Sequence, residues 1–156
     1  MTPIELVDCL VEFFEEVVQN YALATKTGDT GKPPAVYAGY LPPKGKINSS
    51  EFPFIIVRYL DEDDEEVDEV KIGVIIGCYS EDEQNGWRDP LNIATRLKLE
   101  LRKKVVFGPY ALGRKIRIEL FEDQPVPNWY AVMEMAFDIP KAQIDWSEHG
   151  FDFEKD

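Results

Sequence analysis

The chain has little of what chemistry in a pocket needs. It carries a single histidine, His149, and two cysteines, Cys9 and Cys78, in 156 residues. Neither cysteine stands in a CxxC or zinc-type spacing, and both fall on apolar faces of expected elements, which reads as a pair of buried thiols. His149 lies in a polar tail and reads as solvated. No nucleophile–base pair, no metal-ligand cluster and no glycine loop for phosphate occurs, so no catalytic residue and no cofactor is expected. Glu81, Asp82, Glu83 and Asp89 are close in sequence, but four acids in a polar turn of an acidic protein need no acid–base role. Positive charge is also scarce: 17 Lys and Arg against 30 Asp and Glu leave a net charge of −13, which repels phosphate and argues against long contact with nucleic acid. No window approaches the roughly 18 uninterrupted apolar residues of a membrane helix. Glutamates stand where a secretory signal would carry basic residues, so the chain is expected to stay where it is made, with no membrane partner. Function is left to surfaces.

What is present reads as one domain, long enough to bury about 70% of the surface of its unfolded form. Thr2-Pro3-Ile4-Glu5 is a helix start: a threonine cap, a proline whose missing N–H costs nothing, and a glutamate reaching back. Leu6, Leu10, Phe13, Val17 and Tyr21 then mark a stripe, widened by Val7, Phe14 and Val18, that should lie on a sheet. Residues 25–34 read as a connection, and Val36 to Tyr40 as a short strand between prolines, hence at an edge. Phe52–Tyr59 and Val70–Tyr79 are the strongest strands, nearly continuous in apolar character as if covered on both faces, and are expected to be central antiparallel neighbours.

Asp89-Pro90 repeats the logic of cap and proline, opening a second helix along Leu91, Ala94, Leu97 and Leu101 to about Val105. Ile116, Ile118 and Leu120 alternate with Arg117 and Glu119, and Trp129, Ala131, Met133, Met135, Phe137 and Ile139 alternate with Tyr130, Val132, Glu134 and Asp138; these two strands form the last hairpin. The order α-β-β-β-α-β-β predicts an α+β domain over residues 1–143, with one mixed or antiparallel sheet of about five strands and two helices packed on it. Residues 144–156 form an acidic, aromatic tail with no period running through it. Trp146 with Phe151 and Phe153 fits either local packing or an arm that docks on a neighbour.

Charge is segregated along the chain. Eight of the nine residues from Asp61 to Glu69 are acidic. Asp61, Asp63, Asp64 and Glu65 are the candidates if this run holds a hard cation, although the glycine of a calcium loop is missing and a solvated hairpin loop explains the run as well. Between Arg88 and Arg117 there are nine basic residues against two acids, a local balance of +7. Arg102, Lys103 and Lys104 suit the negative end of the second helix, and Glu100 with Lys104 is a favourable i,i+4 pair, but Arg114, Lys115 and Arg117 are left over. The expectation is a head-to-tail contact between copies, with Asp63, Asp64, Glu65 and Glu66 of one facing Arg88, Lys103, Lys104, Arg114, Lys115 and Arg117 of the next, and Trp146 as a further contact.

The ordered strings PPAVYAGYLPPK, FPFIIVRYLDEDDEE, VIIGCYSEDEQNGWRDPLNIATRL and QPVPNWYAVMEMAFDIP, over about residues 33 to 140, resemble the tail terminator, or tail-completion, proteins of Firmicutes prophages. The resemblance implies a structural protein without enzymatic activity, assembled in the bacterial cytoplasm and resident in the virion tail. It implies a homo-oligomeric ring, typically a hexamer, that caps the tail tube protein, ends elongation and then meets the head–tail connector, with DNA passing through its lumen and no sequence-specific nucleic-acid contact. In such a ring the acidic run faces either a neighbour or the lumen. Another neck ring, of the head-closure or head–tail joining kind, and a cation-regulated binding module are the alternatives.

Overall fold

Helix formation begins where the first residues direct it. The backbone N–H of Thr2 donates to Glu5 Oε1 at 2.7 Å and the backbone N–H of Glu5 to Thr2 Oγ1 at 3.2 Å, a reciprocal capping box at the head of α1 (Pro3–Ala24). The computed structural model of the chain describes residues 1–24 (1–20 with side chains), 33–43 and 52–139. Six further strands and a second helix follow: β1 (Ala35–Ala38), β2 (Phe54–Asp63), β3 (Asp68–Tyr79), α2 (Arg88–Lys104), β4 (Val106–Phe107), β5 (Tyr110–Leu120) and β6 (Asn128–Ile139). They make one mixed sheet in the order β1-β2-β3-β6-β5-β4, in which only β1 and β2 run parallel. The α+β order read from the sequence is the observed one, with β4 as an additional two-residue strand.

Both helices lie on one face. Leu6, Leu10, Phe14 and Val18 of α1 and Ala94, Leu97 and Leu101 of α2 share a core with Ile55, Val57, Ile72, Val74, Ile76, Met133, Met135 and Phe137. Opposed Cα partners share a face, so the residues between these in sequence belong to the opposite face. There the expectation of two-sided cover is met at one corner only. Phe52, Phe54 and Ile56 are buried in a second cluster with Tyr37, Leu41, Ile75 and Tyr130 against them. Parallel β1 and β2 need a connection that crosses the sheet, and Leu41, just after β1, packs on the face away from the helices. A methyl at Gly77 would stand 2.5 Å from the Phe54 ring, so glycine is what lets Phe54 lie flat on β3. Farther along the same face Arg58 is half-buried and Lys71 and Glu134 are exposed.

Two local expectations, the cap of α2 and the partner of Glu100, are revised. α2 begins at Arg88, a residue before Asp89, and no side-chain bond caps it. Asp82 instead takes the free amides of the preceding turn, accepting from the N–H groups of Gln84 and Asn85 at 3.1 Å each, which holds its carboxyl below the usual range. The helix ends at Val105, whose φ of 64° breaks the helical path while its N–H still reaches the Leu101 carbonyl. Glu100 pairs with Lys103 at 3.2 Å and Arg96 at 3.9 Å rather than with Lys104. Lys104 lies over the rings of Phe13 and Phe107 instead, a cation–π position that ties α2 to α1.

Candidate interaction surfaces

The acidic run is mostly strand. Asp61–Asp63 end β2 and Asp68–Glu69 begin β3, leaving only residues 64–67 as the turn. The reason is register: Asp61 faces Lys71, Glu62 faces Val70 and Asp63 faces Glu69 across the hairpin, after a bulge between Tyr59 and Asp61. Alternation along a strand turns Glu62 away from Asp61 and Asp63. Asp63 Oδ1 accepts the Glu65 N–H at 2.9 Å, and Glu62 accepts the Tyr59 hydroxyl at 2.7 Å, a bond that pushes the Tyr59 phenol up. Of the candidate cation set of Asp61, Asp63, Asp64 and Glu65, Asp61 and Asp63 thus share one face of the hairpin. Among the described residues no group of three or more His, Cys, Asp or Glu side chains converges as a metal site.

The basic band divides into three. Arg102 donates to the carbonyls of Gly113 and Arg114, docking the end of α2 on β5 and bringing Lys103, Lys104, Arg114 and Lys115 to one corner. Gly113, Arg114 and Lys115 form a bulge, three residues of β5 standing opposite Ala136 alone. Arg88 lies at the other end of α2, stacked over Trp87 and bonded to Asn85. Arg117 is on the helix-free face, 3.4 Å from Glu119. Trp146 lies outside the described residues.

Acid and base share one end of the sheet. Asp68 pairs with Ile139, and Asp138 with Ala111, so the hairpin tip and the start of β5 are on the same side. Tyr110, whose phenol is pushed up first by burial and then by Glu62 and Asp68, marks their approach. Yet β2 and β3 are on one flank of the sheet order while β5 and β4 close the other. The chain thus presents a negative flank and a positive flank at a common level. Compared with protein-family models and with curated proteins, the chain matches none.

The helix-free face carries a groove of about 230 Å³ lined by Arg58, Leu60, Gly73, Ile75, Arg117, Glu119, Val132 and Glu134. Its floor is apolar and three of its charged groups are engaged locally: Arg58 donates to the Gly39 carbonyl at 2.9 Å and lies 4.1 Å over the Tyr40 ring, and Arg117 pairs with Glu119. Leu60, at the bulge, sits directly over Gly73. Sequence reading missed this face because the apolar run of β2 and β3 hides which residues lose their cover. Gly73 at the middle of a strand and the pair Tyr59-Leu60 before the acids were the signals available.

Proposed function

We propose that the chain is a ring-forming structural subunit of a phage tail, a tail terminator that caps the tube and prepares it for joining to the head. The observation that carries this reading is the placement of opposite charge on opposite flanks of one end of the sheet. A subunit built this way is complementary to itself head to tail, and a heterologous contact closes into a ring when its rotation allows. In the proposed contact Asp63, Asp64, Glu65 and Glu66 of one copy meet Lys103, Lys104, Arg114 and Lys115 of the next. Arg88 and Arg117 sit apart from this corner and are assigned to other borders of the subunit. The ordered motifs from Pro33 to Pro140 give the same reading from sequence.

A terminator acts by geometry: once its ring is seated, the growing end of the tube no longer offers the surface that the next tube subunit needs. The test is electron microscopy of particles made by a phage lacking this chain. Overlong, headless tubes are expected. Tails of normal length that fail to join heads would contradict termination and assign the chain to another ring of the neck.

A further inference from the structure

We infer that the free edge of β5 is a docking site for the acidic C-terminal segment, residues 140–156, of a neighbouring copy, which adds a strand to the sheet. This rests on the self-associating reading above and names a second contact of the ring. Beyond Leu112, whose N–H reaches the Val105 carbonyl at 2.8 Å, no strand among the described residues covers the outer edge of β5. The Phe121 N–H donates to the Tyr130 carbonyl. By the two-residue alternation of an antiparallel ladder, Glu119 and Arg117 also bond toward β6, and the N–H and C=O groups of Ile116, Ile118 and Leu120 point outward. A row of this kind is a template for β-strand addition.

Charge selects the occupant. The edge is flanked by Arg114 and Lys115 at the bulge and by Arg117, which pairs with Glu119 on the same strand, with Arg102 and Lys103 on the adjoining helix end, and Leu99 lies exposed one turn earlier on α2. Arg114 and Lys115 at the bulge leave the near end of this edge open to a negative strand. Residues 140–156 carry five carboxylates against two lysines, and contain two stretches, Ile144-Asp145-Trp146 and Phe151-Asp152-Phe153-Glu154, that alternate apolar with acidic side chains. Strand alternation would set those aromatics beside Ile116 and Ile118, which are half-buried, and the carboxylates beside Arg117. The segment leaves β6 at Ile139, and β4 stands between that point and the open part of β5 in the same copy, which favours a neighbour as donor.

Amide hydrogen exchange of the full chain tests this in solution, apart from any tail phenotype. At micromolar protein the Ile116, Ile118 and Leu120 amides are expected to exchange freely. At millimolar protein, or on addition of a synthetic peptide of residues 140–156, they should slow at least tenfold. The same peptide with Phe151→Ser and Phe153→Ser should protect less. Identical exchange under all conditions would overturn the inference. So would protection already complete at micromolar protein, which would mean that each copy covers its own edge. Overlong tails in the phage test together with unprotected amides would leave the terminator reading standing and this contact refuted.

Discussion

At the scale of single residues, the start of α1 is the most direct case of sequence setting structure. Thr2 and Glu5 satisfy each other's amides, and the N–H of Thr2, then its hydroxyl, hold the Glu5 carboxyl below its ordinary value of 4.5. A carboxyl lowered in the folded state adds stability that is present above its unfolded value and lost as pH falls through the folded one. The stability difference between the native chain and Glu5→Gln, followed by thermal unfolding, should therefore be present at pH 6 and shrink as the pH falls below 4.5. Thr2→Ala should cost about 1 kcal/mol at neutral pH. This box was legible because all of its parts lie within four residues. Asp89 was misread as a cap because a cap depends on where the turn before it goes, and Asp82, Gln84 and Asn85 had already tightened that turn.

At the scale of elements, periodicity carried the reading and tertiary cover limited it. The apolar stripe of α1 as far as Val18 and the alternation of β6 are the buried faces observed, while the side chain of Tyr21 lies outside the described residues, and Trp129 is also fixed by donation of its indole N–H to the Ser80 carbonyl at 2.9 Å. The continuous apolar run of β2 and β3 could not tell which face would keep its cover, since that depends on where Leu41 and the helices come to rest. β4 was missed because two residues after a helix have no period. Leu97 shows how α2 is held: it is fully buried in the core that both helices share with the sheet. Leu97→Ala should cost about 2–5 kcal/mol by urea unfolding, the range for a large buried side chain whose cavity does not collapse. A cost below about 1 kcal/mol would mean that α2 is loosely docked.

At the scale of the whole molecule, segregation of charge was visible in the chain but its geometry was not. Strand order alone sends the acidic hairpin and the basic corner to opposite flanks, and strand order depends on β6 inserting between β3 and β5. In the proposed ring, bringing the two flanks of adjacent copies together would relieve the self-repulsion of eight acids in nine residues, and such contacts between exposed charges would weaken as salt screens them over about 8–10 Å. The measurement that bears most directly on this account is the particle mass, in low and high salt and with tail tube ends present, of the native chain and of a variant with Asp63→Asn, Asp64→Asn, Glu65→Gln and Glu66→Gln. The account predicts rings from the native chain that weaken in high salt and fail to close in the variant at either salt. Rings of unchanged mass and salt response in the variant would contradict it, leaving the acidic hairpin to face the lumen.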